Sequence, residues 1–330
     1  MPAAPRTLPV VRIVSPALAS ANNGNAHTAA RWRDFLAPVA ICDVSLSWNG
    51  EPTDVLIALH ARRSADSIAR FRSEHADRPI ALVLTGTDLY RDIEDDPRAQ
   101  HSLECASAIV VLQDEGLLRL AEPDRAKARV IVQSASALVA KVPEAARAEF
   151  IAVGHLREEK DPLTLLRAML TAGSDIRLAH VGAALDRSLG AEAERTMRAC
   201  ANYRWLGALT HAAARRHIAR SRALVHPSRL EGGANVVIEA VRSRVPVLAS
   251  CIDGNIGLLG RDYDGYFAAG DSVGLARLMR RFSADASFAA HLAAQCAARE
   301  PLFRPGAERA AVRALVFGLL ATRVSSGLRE

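Results

Sequence analysis

The sequence predicts an α/β protein made of two Rossmann-like, doubly wound domains, and three observations predict it. Apolar runs of strand length recur along the 330 residues, and helical stretches separate most of them. That alternation builds parallel sheets covered on both faces. It is broken once, over Gln133–Arg147, by small residues and Pro143, after which a second series begins. Finally, polar or glycine-containing segments follow many of the runs, at the carboxyl ends where open α/β sheets bind ligands. The expected organisation is a first domain over residues 1–140, a second over 141–300 and a closing helical segment over 301–330.

Composition bounds the function classes. With 50% hydrophobic and 24% charged residues the chain can bury two cores and shows no disordered class of composition. Apolar stretches such as Ala314–Ala321 are far too short to span a bilayer. Met1–Pro9 carries one arginine and three prolines without an apolar segment, which reads as a loose tail and not a signal peptide. The five cysteines, Cys42, Cys105, Cys200, Cys251 and Cys296, are scattered without a Cys-x-x-Cys pair. This argues for a reducing, cytoplasmic setting with no disulfide framework and no zinc site. A net charge of +6 and a pI near 9.4 raise the question of nucleic acid, but the arginines are dispersed, with no basic run or aromatic-rich face. An electropositive surface also suits anionic small substrates.

In chain order, Val10–Val14 is the first strand, the loop Ser20–Asn25 follows, and Thr28–Leu36 reads as a helix. Small polar loops between a first strand and helix are phosphate-friendly. Further strands are expected at Ile41–Leu46, Val55–Leu59, Ile80–Leu84, Ile109–Leu112 and Val130–Val132. His60, Thr85 and Asp88 fall just past strand ends, on the binding rim. Arg62 and Arg63 beside His60 could hold a phosphate through charge-assisted forks, and Thr85-Gly86-Thr87 offers hydroxyls and an approachable backbone.

The second series opens with Glu149–Val153, which ends at Gly154. Asp161-Pro162 then starts a helix with proline well placed at its first position. Strands follow at Ile176–Val181 and Tyr203–Leu206, with helices near Leu185–Ala201 and up to Ser221. The run Ala223–His226 leads into Ser228-Arg229-Leu230-Glu231-Gly232-Gly233-Ala234-Asn235, a helix ending near Arg244, and the strand Val247–Ala249. Such a helix start offers free N–H groups and positive dipole to an anion. Glu231 and Glu239, eight residues apart, flank it with carboxylate acceptors. Diphosphate at the dipole and hydroxyls on the carboxylates is the pattern a nucleotide sugar needs. Gly254–Gly260 reads as a loop or short helix facing this site, and Ser272–Val324 as amphipathic helices.

Glu-x7-Glu after Pro-Ser, followed by Ala-x5-Pro-Val-x-Ala-Ser, resembles the carboxyl-terminal domain of retaining group 1 glycosyltransferases of the GT-B fold. The match narrows to the selenosugar synthases of selenoneine biosynthesis through Asn25-Ala26-His27-Thr28-Ala29-Ala30-Arg31-Trp32, Ala58-Leu59-His60-Ala61-Arg62-Arg63-Ser64 and Leu84-Thr85-Gly86-Thr87-Asp88-Leu89-Tyr90-Arg91-Asp92. Gly154-His155-Leu156-Arg157-x-x-Lys160-Asp161-Pro162, Arg229–Val237 and Gly257-Leu258-Leu259-Gly260 add to it, so that the resemblance covers roughly residues 10–280.

The resemblance implies two domains facing a central cleft, with the last helix crossing back onto the first domain. It further implies a Se-glycosyltransferase that takes UDP-N-acetylglucosamine, or UDP-glucose, as donor and selenophosphate as acceptor, and makes a 1-selenosugar, UDP and phosphate. Lys160, Arg157, Glu231 and His60 are the expected catalytic residues. Gly154, His155, Leu206, Gly207, Arg229, Gly232, Gly233, Ala234, Asn235 and Glu239 are expected on the donor. Asn25, Thr28, Arg31, Arg63, Thr85, Gly86, Thr87 and Asp88 are expected on the acceptor. Two departures stand out. The superfamily's Gly-Arg-Leu-x-x-x-Lys has His155 at the arginine position, so Arg157 is expected to supply that charge. Its Thr-x-His-Asp has Thr87 at the histidine position. No cofactor or metal is called for, and neither nucleic acid nor membrane is an expected partner. The alternatives are an ordinary oxygen or thiol acceptor, or a nucleotide-sugar epimerase.

Overall fold

The computed structural model describes residues 8–18, 24–140 and 149–326. The chain divides into two compact units, Met1–Gln133 with Pro305–Glu330, and Ser134–Arg304.

The first unit is a six-stranded sheet in the order β2-β1-β3-β4-β5-β6. Its strands are β1 Val10–Val14, β2 Ile41–Ser45, β3 Val55–Leu59, β4 Ile80–Val83, β5 Ala108–Val111 and β6 Ala128–Val130, and all of its pairings are parallel. Covered on both faces, β3 is apolar at every position. Val55, Ile57 and Leu59 enter one core with Trp32, and Leu56 and Ala58 enter the other with Phe71. The edge strand β6 lies two residues before the apolar run that suggested it. Its half-buried, exposed, half-buried pattern is what an edge needs, and apolar content alone misplaces such a strand.

Helix Gly24–Leu36 begins a turn earlier than the sequence suggested; residues 19–23 of the preceding loop lie outside the described residues. The last helix, Pro305–Ser326, belongs to this unit: Val312, Leu315, Val316 and Leu319 pack beside Trp32 and Leu36. Glu308 fixes the pairing. Its side chain is fully buried and accepts from Trp32 Nε1 at 2.8 Å and Arg31 Nε at 2.8 Å. A buried carboxylate needs both partners to offset its lost hydration.

The second unit repeats the plan in the order β12-β11-β10-β7-β8-β9. Its strands are β7 Glu149–Val153, β8 Arg177–Val181, β9 Tyr203–Trp205, β10 Leu224–His226, β11 Val247–Ser250 and β12 Tyr266–Phe267. The short β12, not foreseen as a strand, pairs Tyr266 and Phe267 with Ala249 and Ser250. The strand order reverses between β7 and β10. Residues 154–160 and 228–233, which follow those two strands, therefore open onto one crevice at a topological switch point. Of the break at Gln133–Arg147, residues 133–140 form neither helix nor strand and 141–147 lie outside the described residues. Among the described residues no helix is long and apolar enough to cross a membrane.

Candidate functional site

The switch point of the second unit brings Lys160 and Glu231 together. Lys160 ends a short turn, Glu158–Lys160, after β7, and its Nζ pairs with Glu231 Oε1. His226, the last residue of β10, places Nε2 3.2 Å from the same oxygen. Burial pushes the Glu231 carboxyl up, but the Lys160 ammonium and the His226 ring outweigh it and hold it well below the usual carboxylate range. Glu231 is therefore ionised, and acts as an acceptor and not as an acid. Two glycines permit the close packing. A Cβ on Gly254 would lie 2.0 Å from the Glu231 carbonyl oxygen, and one on Gly182 would lie 1.9 Å from that of Gly154.

Helix Asn235–Arg242 follows the Gly232-Gly233 turn with Ala234 at its N-cap, and no side chain accepts from its first amides. The short helix Asp253–Leu259, which starts beside Glu231, likewise has an apolar N-cap residue, Ile252, that makes no side-chain cap. Elsewhere in the unit Asp161, Asp186, Thr210, Asp271 and Asp285 cap the helices with side-chain acceptors. Orphan amides beside an ammonium are what an anion requires. Glu239, buried in the second turn of helix Asn235–Arg242, lies 2.5 Å from His211 Nε2.

The neighbouring residues divide into those that face this point and those that hold the loop. His155 Nδ1 accepts from the Ala183 amide at 3.1 Å, so in the neutral ring the proton sits on Nε2. Leu206 and Gly207 lie at the end of β9, half-buried, and Gly207 takes φ +67. Arg229 reaches back to Asp161 at 3.0 Å, and its amide donates to the Glu159 carbonyl. Arg157, expected to assist Lys160, instead has Nε 3.8 Å from Glu159. A carboxylate two residues along the chain competes for its charge.

Three residues at the core of this arrangement escaped sequence reading: His226, His180 and His211. His226 and His180, with Ser228 and Lys160, line a cavity of about 10 Å³ beneath the site, room for one water. His180 is fully buried, meets Tyr203 Oη at 3.0 Å, and burial pulls its pKa down to about 4. The available signal was position, because His226 ends a strand directly before Pro227-Ser228.

The rim of the first unit is satisfied largely within itself. His60 takes φ +73, a strained conformation for a non-glycine residue. Its Nε2 meets Thr87 Oγ1 at 3.0 Å, and Nδ1 lies 3.8 Å from Asp88. Burial lowers its pKa against the opposing pull of Asp88, which leaves a neutral ring. Arg62 pairs with Asp92 at 2.9 Å, whereas Arg63 is exposed.

The fold also engages Asp88, Thr28 and Arg31 among the residues expected on the acceptor. Asp88 accepts from the amides of Ala61 at 3.0 Å, Thr85 at 2.9 Å and Gly86 at 2.8 Å, so it shapes the loop. Thr28 Oγ1 donates to the Gly24 carbonyl and accepts from Gln133. Arg31 is held at Nε by Glu308. Thr85, Gly86, Thr87, Asp88, His60 and Arg63 thus form one cluster, while Asn25, Thr28 and Arg31 sit on the helix after β1, across the first sheet's own switch point between β1 and β3. Among the described residues no group of three or more His, Cys, Asp or Glu is arranged to hold a metal.

Comparison with known proteins agrees with this fold. Residues 136–298 match the family model described as glycosyl transferases group 1. Over 96% of this chain and all of the other, the structure superposes on sucrose-phosphate synthase from Thermosynechococcus elongatus, at 15% identity and a TM-score of 0.77. HepE from Anabaena, solved in complex with UDP-glucose, matches 94% of this chain and 99% of its own at 15% identity and a TM-score of 0.75. The pneumococcal O-GlcNAc transferase GtfA, in complex with UDP and GlcNAc, matches 81% of this chain and 57% of its own at 15% identity and a TM-score of 0.64. With its two six-stranded parallel sheets the chain has the GT-B fold, and the match to the group 1 glycosyltransferase model falls within its second unit.

Proposed function

We propose that this protein transfers a hexosyl group from a UDP-sugar to selenophosphate, yielding a 1-selenosugar, UDP and phosphate. One observation carries the donor half of the reading. At the β7/β10 switch point Lys160 pairs with the ionised Glu231, and the helix that follows starts without a side-chain cap and carries a second buried glutamate, Glu239. UDP with a glucosyl or N-acetylglucosaminyl group is also what HepE and GtfA were solved with.

In this reading Lys160 and the open amides of helix Asn235–Arg242 take the diphosphate and stabilise its charge as the C1–O bond breaks. Glu239 accepts from the ribose hydroxyls and Glu231 from those of the hexose. Leu206 and Gly207 abut the nucleobase, with Gly154, His155, Arg157 and Arg229 around the phosphates. UDP-N-acetylglucosamine is the donor, with UDP-glucose tolerated, as in the selenosugar synthases that the motifs resemble.

Selenophosphate enters through the same resemblance, whose amino-terminal phrases converge on His60, Arg63 and Thr85–Asp88. Arg63, Asn25 and the Thr85-Gly86-Thr87 turn bind its phosphate, and Thr28, Arg31 and Asp88 support them. The selenium lone pair forms the C1–Se bond while the C1–O pair departs on UDP, and water then splits Se–P to release phosphate. An ionised selenium needs no general base. A neutral His60 and an Asp88 occupied by backbone amides suit that requirement.

The test is mass spectrometry of the purified protein with selenophosphate and a panel of UDP-sugars. The expected products are a selenosugar and UDP. Glycosylation of hydroxyl or thiol acceptors with selenophosphate inert would make the protein an ordinary O- or S-glycosyltransferase. Interconversion of the UDP-sugars without any acceptor would make it an epimerase.

A further inference from the structure

Glu239 poses a problem that its own helix does not solve. Its carboxylate is 7% exposed, and no cation on helix Asn235–Arg242 reaches it. A buried carboxylate that lacks a partner takes up a proton or turns out of the fold. The partner comes from another element. His211 opens helix His211–Arg220, whose N-cap Thr210 accepts from the Ala213 amide, and its Nε2 lies 2.5 Å from Glu239 Oε1. With the carboxylate oxygen as acceptor, Nε2 is the donor of this pair. The His211 side chain is itself 41% exposed, so the pair stands where a ligand can reach it.

We propose that His211 is a positioning residue that sets sugar specificity: it holds the Glu239 carboxylate in one orientation so that the nucleotide's pentose is read as ribose. The inference rests on the donor reading above. Two vicinal hydroxyls are two donors, and a carboxylate held in one rotamer by a donor on its far side presents acceptors to both. A 2′-deoxy sugar offers only one. Without His211 the carboxylate is free to rotate, and the distinction between the two sugars fades. The capped helix start matters here, because it places the imidazole before any ligand arrives.

The experiment is calorimetric titration of the full chain with UDP and 2′-deoxy-UDP, and with the other ribonucleoside diphosphates and their 2′-deoxy forms. The wild type is expected to favour the ribose form by roughly tenfold, the worth of one hydrogen bond to a charged group. His211→Ala is expected to weaken ribonucleotide binding several-fold and to bring the ratio close to one, whereas His211→Gln, whose amide can donate from a similar place, restores most of it. In a double-mutant cycle with Glu239→Gln, the effect of His211→Ala on the ratio should vanish. A ribose preference that survives His211→Ala, or an effect of the same size in the Glu239→Gln background, overturns this proposal alone. If the wild type binds no nucleoside diphosphate, the donor reading falls and this proposal with it. Circular dichroism of His211→Ala separates a folding defect from a binding one. If the alanine variant does not fold, His211→Phe, which keeps a ring of similar size without a donor, takes its place with the same expected loss of ribose preference.

Discussion

The two units share one plan and use their binding rims in opposite ways. Both are six-stranded parallel sheets with a reversal of strand order, between β1 and β3 in one and between β7 and β10 in the other. In the first unit the rim's polar groups satisfy each other: Asp88 holds three amides, Arg62 holds Asp92, and Thr87 meets His60. In the second unit two helices begin without side-chain caps beside Lys160 and Glu231. Similar topology thus yields one rim whose loop amides are held by a buried carboxylate, Asp88, and another where two helices start without a side-chain cap. The contrast shows that a switch point supplies only a place, and that capping chemistry decides whether an anion is welcome there.

Removing the ammonium should have the largest effect. Lys160→Ala is expected to lower kcat/KM roughly 100-fold, about 2.7 kcal/mol, through lost stabilisation of the departing diphosphate. Activity within a few-fold of wild type in steady-state assays would erase the distinction between the rims. Asp88→Ala probes the other side. Three amides would lose a charged acceptor, and denaturant unfolding should show a loss of about 2 kcal/mol, with UDP affinity unchanged. A variant of normal stability with a raised acceptor KM would return Asp88 to a contacting role.

Glu239→Ala should weaken UDP binding by roughly tenfold in calorimetry, and Glu231→Ala should spare UDP and slow the reaction of the UDP-sugar. Equal effects of the two on UDP would merge their roles. The smallest effect expected is that of Arg63→Ala, a rise of about three-fold in acceptor KM with UDP affinity intact, because its side chain is exposed and such contacts are weak.

Acid should sharpen the same comparison. The folded pKa of Glu231 is depressed, so its stabilising contribution is present above the ordinary carboxylate range and is lost as pH falls through and below that range. His180, lowered from 6.5 to about 4, is neutral in the fold. The unfolded chain therefore takes up its proton first, and stability falls as pH drops from 6.5 to about 4. Both groups belong to the second unit. Urea unfolding at stepped pH should show His180→Leu flattening the upper part of this decline and Lys160→Met the lower part.

Much of the fold was legible. Val10–Val14, Val55–Leu59 and Glu149–Val153 stand where the apolar runs put them, because strands buried on both faces leave an unbroken hydrophobic record. The edges were harder: β6 is shifted and β12 is two residues long, since a strand solvated on one side writes a weaker pattern. Lys160, Glu231 and Glu239 could be picked out because glycine turns and helix starts frame them locally. His211 and His226 could not, because nothing near them in sequence shows which carboxylates they meet.

The sequence by itself determined the doubly wound class, the repeat of that class, and the segments from which a nucleotide-sugar site would be drawn. Those follow from periodicity and turn chemistry, which act over a few residues. Only the tertiary structure decided the partners: Lys160 with Glu231 across 71 residues, His211 with Glu239 across 28, and Arg31 and Trp32 with Glu308 across 277 and 276. A buried charge is satisfied by whichever donor the folded backbone brings within reach, and that distance is not written in any local stretch of chain.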